Sequence, residues 1–173
     1  MSKEINLTRG KSTLVDEEDY DFLMQWKWHY SSSGYAIRSV QKSWCKESKK
    51  QSNKKIYMHR ILNNTPDNLI TDHINGDTLD NRKINLRNCT ISQNGMNTRR
   101  QVNSKYSIYK GVYFSIGKKT NKPWMALISK DRKRYYIGHY ISEKEAALAW
   151  NKKAKELHGE FAYQNEVLND ING

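Results

Sequence analysis

Between Ser107 and Gly159 the apolar positions follow first one period and then another. Val112, Phe114 and Ile116 alternate with Tyr113 and Ser115; Trp124, Ala126 and Ile128 with Met125, Leu127 and Ser129; Tyr135 and Ile137 with Arg134 and Tyr136. Residues two apart share a strand face, so these runs predict three antiparallel strands split by turns at 117–123 and 130–133. Ser142-Glu143-Lys144-Glu145 then has capping-box spacing, and Ala146, Trp150, Ala154 and Leu157 fall on one face of a helix ending near Gly159. A helix covering one sheet face leaves Tyr113, Ser115, Met125, Leu127, Ser129, Arg134 and Tyr136 on the other.

Upstream the pattern is less regular. Asp16-Glu17-Glu18-Asp19 leads into Tyr20, Phe22, Leu23, Trp26 and Trp28, predicting an acidic first turn that opens a short apolar helix. Residues 34–38 and 56–61 predict strands, and the Ser/Lys-rich stretch 41–55 between them predicts a solvated loop or arm. Ile70, Thr71 and Ile74 predict a strand bearing Asp72 and His73 on opposite faces at its end, followed by a polar loop to Asn85. A second short strand, Leu86 to Cys89, returns; Thr90-Ile91-Ser92-Gln93 repeats the capping-box spacing and starts a helix with Asn94 in its first turns.

Charge narrows the class of partner. The 173 residues carry 30 Lys/Arg against 18 Asp/Glu, a net charge of +12, which favours a polyanion, with nucleic acid the leading candidate. The length disfavours large cofactor-binding architectures. Residues 41–60 hold 7 basic and 1 acidic residue, residues 98–140 hold 11 and 1, and an Asn-rich, nearly neutral segment lies between: a site flanked by phosphate grips. Cys45 and Cys89 form no CxxC pair, so neither a thiolate zinc site nor a disulfide framework is indicated. No stretch nears the roughly 18 apolar residues of a membrane span. Met1-Ser2-Lys3-Glu4 does not open a secretory signal, so a soluble cytoplasmic protein is expected.

A lone histidine on a strand is commonly structural. Here Asp72-His73 at a strand end is joined by an Asn thirteen residues beyond Asp72 and another on a capped helix twenty-two beyond it. With Leu86-Arg87 after Asn85, Ser92-Gln93 before Asn94, the Asp-Asn-Arg run at 80–82 and His59-Arg60 upstream, the segment resembles the HNH endonucleases of phage homing type. The resemblance implies an α+β fold with a ββα-metal nuclease core. It implies His73 as general base, Asp72 and Asn94 as ligands of one divalent metal, Mg or Mn, and Asn85 as the residue that shapes the loop. It adds His59 as a candidate supporting residue; Asn97, one helical turn on, is the rival ligand. The chemistry suits these types: neutral imidazole, with a pKa of about 6.5, accepts a proton from water near neutrality, and oxygen donors suit a hard cation. The family implies products with 5′-phosphate and 3′-hydroxyl ends.

The C-terminal pattern, with Tyr109-Lys110-Gly111-Val112, Trp124-Met-Ala-Leu-Ile, Tyr136-Ile-Gly-His-Tyr140 and Glu145-Ala-Ala-Leu-Ala-Trp150, resembles the plant Apetala-two or ethylene-response-factor DNA-binding domain. That family lays its sheet in the major groove of double-stranded DNA. The matched positions are Tyr113, Ser115, Leu127, Ser129, Arg134 and Tyr136; the arginines the plant domains carry there are reduced to Arg134, so their base code does not transfer. Lys118, Lys119, Lys122, Lys130, Arg132 and Lys133 in the turns, and Arg99, Arg100 and Lys105 in the connector, are expected to hold phosphates. The division expected is a nuclease domain at 1–97 with its core at 56–97, a basic connector at 98–106, and a three-stranded sheet packed on one helix with a tail at 107–173. One active site per chain predicts a monomer that nicks one strand. A binding-only regulator with an inactive core and a structure-selective nuclease for branched DNA are the alternative readings.

Overall fold

The computed structural model describes residues 1–41, 53–99, 107–115 and 121–167. The chain divides into two compact units, Met1–Ser92 and Gln93–Gly173.

The first unit opens with an antiparallel hairpin, β1 (Ser2–Asn6) and β2 (Ser12–Asp16), in which Ile5 lies opposite Thr13 and Lys3 opposite Val15. Helix α1 (Glu17–Leu23) follows. It ends before the two tryptophans that the apolar spacing placed in it, because the Trp28 indole N–H turns back to donate to the Leu23 carbonyl at 2.8 Å, satisfying an end group of the helix. Strands β3 (His29–Tyr30), β4 (Ala36–Gln41) and β5 (Asn53–Tyr57) form an antiparallel sheet in that order. Strand thus replaces the expected loop at residues 41 and 53–55, while residues 42–52 lie outside the described residues.

Helix α2 (Met58–Leu62) occupies most of the second predicted strand, 56–61. The run Ile56-Tyr57-Met58-His59 reads locally as strand, but Met58, His59 and Leu62 are buried together, a spacing that a helical turn places on one side. After it come β6 (Ile70–His73), the loop containing a single turn of 3-10 helix at Lys83–Asn85, β7 (Leu86–Cys89) antiparallel to β6, and α3 (Ile91–Asn97). Ile5, Leu7, Val15, Leu23, Trp28, Ala36, Met58, Leu62 and Leu86 form the core of this unit.

The second unit takes in α3 from Gln93 onward and contains the sheet β8 (Val112–Phe114), β9 (Trp124–Lys130) and β10 (Lys133–Tyr140), with β9 central, and helix α4 (Glu143–His158). The helix starts as its sequence prescribes: Ser142 Oγ accepts from the Glu145 N–H at 3.1 Å and Glu145 Oε2 from the Ile141 N–H at 3.2 Å. Ala146, Ala147, Trp150 and Ala154 bury against Val112, Ala126 and Ile128. Gly111 is obligatory: at φ +74° an added Cβ would lie 1.9 Å from Trp150 Nε1 and 2.6 Å from the Leu127 carbonyl oxygen, which the indole N–H itself reaches at 3.0 Å. Phe114 and Tyr135 stay partly exposed despite lying on the predicted covered face; Phe114 sits edge-on to Trp124 instead.

Candidate active site

The site in the first unit begins with two neighbours of opposite character at the end of β6. Asp72 and His73 are each 5% exposed. Asp72 Oδ2 accepts from Arg87 Nε at 2.9 Å and Nη2 at 2.7 Å, from the β7 residue directly opposite it in the ladder. The strand pairing therefore builds this ion pair, and the guanidinium fixes the carboxylate's orientation.

His73 points into a different environment. Its ring lies 5.2 Å, centroid to centroid, from that of His59 and 6.1 Å from that of Tyr35; Tyr35 and Tyr57 flank His59 at 5.0 and 5.3 Å. His59 comes from α2, not from a strand, and its contact with His73 follows from the helical turn that buries it. Burial, followed by the neighbouring His73 and Arg60 charges, brings His59 down to about 3. Burial also holds His73 below the ordinary imidazole value, while its bond to Asn81 and the Asp72 charge pull the other way. Both rings are neutral at physiological pH, the state in which an imidazole can accept a proton.

The loop between β6 and β7 is laced by its own polar side chains. Asn85 Oδ1 accepts from the Asn75 N–H at 2.9 Å, its Nδ2 donates to the Asp80 carbonyl at 2.8 Å, and its own carbonyl accepts from the Ile74 N–H at 2.9 Å. Asp80, whose carboxyl is pulled below the usual range chiefly by Arg82, takes bonds from Arg82 Nε and Nη2 at 2.8 and 2.7 Å and from Asn75 at 2.9 Å. Asn81 bonds His73 Nε2 at 3.1 Å through Oδ1 and Thr13 Oγ1 at 2.7 Å through Nδ2. The loop backbone also pairs with β2, Leu14 N–H to the Leu79 carbonyl at 2.9 Å and Asn81 N–H to the Leu14 carbonyl at 2.8 Å. Asn81, Thr13 and Arg87 thus lie beside Asp72 and His73; the Asp-Asn-Arg run and Leu86-Arg87 mark the first and last as part of the motif without giving them a role, and nothing in the local sequence marks Thr13.

In the second unit, Asn94 and Asn97 lie half-buried on α3, with the Asn94 carbonyl accepting from Thr98 Oγ1 at 3.1 Å. Lys110 Nζ donates to the carbonyls of Gly95, Met96 and Thr98 at 3.4, 2.8 and 2.7 Å, beneath the Trp150 and Tyr163 rings. Burial pulls this lysine down to about 8.

The sheet pairs Tyr113 with Met125, Leu127 with Tyr136 and Ser129 with Arg134 across its strands, bringing five of the expected groove-facing residues onto one surface. Ser115 follows the end of β8. An irregularity between Tyr136 and Gly138 sets His139 opposite Met125 on that surface, its ring 5.8 Å from Tyr136. Lys122 and Arg132 are exposed, as is Arg99. Lys130 departs from its expected role: it closes β9 and donates to the Leu157 carbonyl at 2.6 Å, near the end of α4. Arg100, Lys105, Lys118 and Lys119 lie outside the described residues.

Residues 63–96 match the family described as HNH endonuclease. The matched segment runs from the end of α2 through β6, its loop and β7 into α3, and takes in Asp72, His73, Asn81, Asn85 and Asn94. The chain carries an HNH endonuclease domain. A relative, an uncharacterized HNH endonuclease of Acanthamoeba polyphaga mimivirus, is 29% identical over 163 residues, covering 93% of this chain and 79% of its own length. His59 and Asn97 lie outside the segment that matches the HNH family.

Among the described residues no three His, Cys, Asp or Glu side chains are placed to hold a metal ion together. Asp72, buried and oriented by Arg87, fits as a hard oxygen donor for a divalent metal. No described helix is long and apolar enough to cross a membrane.

Proposed function

We propose that this nuclease is a metal-dependent, homing-type HNH endonuclease of double-stranded DNA, with His73 as general base, Asp72 and Asn94 as the metal-holding residues and Asn85 as the brace of the loop. The observation that carries the reading is the buried, neutral imidazole of His73 beside the oriented carboxylate of Asp72, inside the segment that matches the HNH family. Neutral His73 takes a proton from water as the water's oxygen attacks phosphorus, help worth roughly 10²- to 10⁴-fold in rate. A bound Mg²⁺ or Mn²⁺ would supply charge neutralisation at the phosphate and the departing 3′ oxygen. Asp72 offers it a carboxylate already fixed by Arg87, and the Asn85 bonds to residues 75 and 80 keep the loop closed beside both residues.

The second unit acts as the DNA reader. Its open sheet face carries Tyr113, Leu127, Ser129, Arg134 and Tyr136, the positions that resemble the groove-facing residues of the Apetala-two family. Arg99, Lys122 and Arg132 add exposed charge for phosphates. One active site per chain nicks one strand.

Conversion of supercoiled plasmid to open circle with Mg²⁺, Mn²⁺ or chelator, comparing wild type with His73→Ala at matched DNA binding, tests the reading. Metal-dependent nicking that falls by at least about 10²-fold in the variant is expected. A wild type that binds but cuts with no metal on any phage sequence would favour the binding-only regulator.

A further inference from the structure

Asn81 sits at the centre of a chain of buried hydrogen bonds whose directions are fixed from one end. Thr13 and Asn81 are each 1% exposed and His73 5%, so the polar atoms that join the three satisfy one another rather than solvent. The Thr13 hydroxyl lies 2.7 Å from the Leu79 carbonyl, which can only accept. Its single hydrogen is spent there, and Oγ1 is left as an acceptor. Only the amide nitrogen of Asn81 can satisfy that acceptor at 2.7 Å; the reverse rotamer would set two lone pairs against each other. With nitrogen turned to Thr13, Asn81 presents Oδ1 to His73 Nε2 at 3.1 Å, and the imidazole must be the donor.

We infer that Thr13 and Asn81 are positioning residues that hold neutral His73 in the tautomer with its proton on Nε2 and its lone pair on Nδ1. The inference rests on the reading of His73 as general base and adds which nitrogen takes the proton from water: Nδ1 accepts it, the ring becomes imidazolium, and the Nε2–H bond to Asn81 Oδ1 strengthens as the charge forms. It also gives the Asp-Asn-Arg run at 80–82 a division of labour. Asp80 and Arg82 clasp each other and Asn75, fixing the loop, while Asn81 between them turns inward to the histidine.

Thr13 lies 68 residues from Asn81, on the hairpin that opens the chain. Two backbone bonds between β2 and the loop, at Leu14 and Asn81, hold the two side chains in register, so the relay does not depend on side-chain packing alone.

The test is the tautomer itself, read from the ¹⁵N shifts of the His73 ring in long-range proton–nitrogen spectra of the full chain with Mg²⁺ present. Wild type is expected to carry its proton on Nε2. Asn81→Leu, close in shape but without an acceptor, and Thr13→Val, without the hydroxyl, should shift His73 toward the Nδ1–H form, and Thr13→Ser should restore wild-type shifts. Single-turnover cutting at saturating DNA is expected to fall about 10²-fold in Asn81→Leu, with affinity for DNA in chelator within about twofold of wild type. Wild-type spectra with the proton on Nδ1 would overturn the relay, even if Asn81→Leu fails to fold. So would a folded Asn81→Leu that keeps both the Nε2 proton and the wild-type rate. If His73→Ala nicks plasmid as fast as wild type, the base reading falls while the tautomer result stands on the spectra alone.

Discussion

His59 is a histidine that the folded chain keeps from charging. Its folded value of about 3 lies far below the ordinary imidazole value, so between those limits the unfolded chain binds a proton that the folded chain refuses. Stability is therefore complete above about pH 6.5 and falls as the pH drops, by up to about 1.4 kcal/mol per pH unit. His73, shifted in the same direction by burial, adds to the slope. Urea unfolding of the full chain between pH 7 and about 4.5, above the range of most carboxylates, should show this loss, and His59→Gln should flatten much of it. Arg87 supports a second residue-scale prediction. Removing its guanidinium strands the Asp72 carboxylate, so Arg87→Ala should cost about 3–5 kcal/mol in denaturant unfolding.

Among the elements, the C-terminal strands and α4 were legible because each obeys one period and one burial face. Ala146, Trp150 and Ala154 bury as their spacing predicts, and Ser142 caps α4 through the Glu145 N–H. The opening hairpin was not legible, since Lys3-Glu4-Ile5 and Thr13-Leu14-Val15 are short and mostly polar or mixed, and their pairing becomes a strand signal only once they lie opposite each other. The switch from β5 to α2 was misread because Ile56, Tyr57 and Ile61 favour strands locally; tertiary burial of Met58, His59 and Leu62 overrides that preference. Asp72 and His73 could be given roles from their spacing, whereas Asn81 was legible only as part of the Asp-Asn-Arg run, since its contact with His73 follows from Thr13 reaching it from β2. At this scale Gly111 is the sharpest probe. Gly111→Ala would drive a methyl into the Trp150 indole and strain a positive φ, and should destabilise the second unit by at least about 3 kcal/mol, read from Trp fluorescence during unfolding.

The whole molecule carries +12, and its basic residues are concentrated on either side of the segment that holds the nuclease motif. If those residues grip phosphates, log affinity for duplex DNA should fall linearly with log salt, with a slope of about −0.9 per phosphate neutralised. A response flat between 50 and 200 mM salt, roughly the range over which such grips lose most of their affinity, would remove the phosphate-grip account. The pairing of β2 with the loop between β6 and β7 has a consequence in time. Leu14 and Thr13 reach Leu79 and Asn81 across more than sixty residues of chain, so these bonds form only after a long loop has closed. A ribosome that has released β2 but not the loop at 79–81 exposes no assembled hydrogen-bond network around His73. The hydrogen bonds around His73 are therefore assembled no earlier than the point at which the loop carrying Asn81 can fold back onto β2.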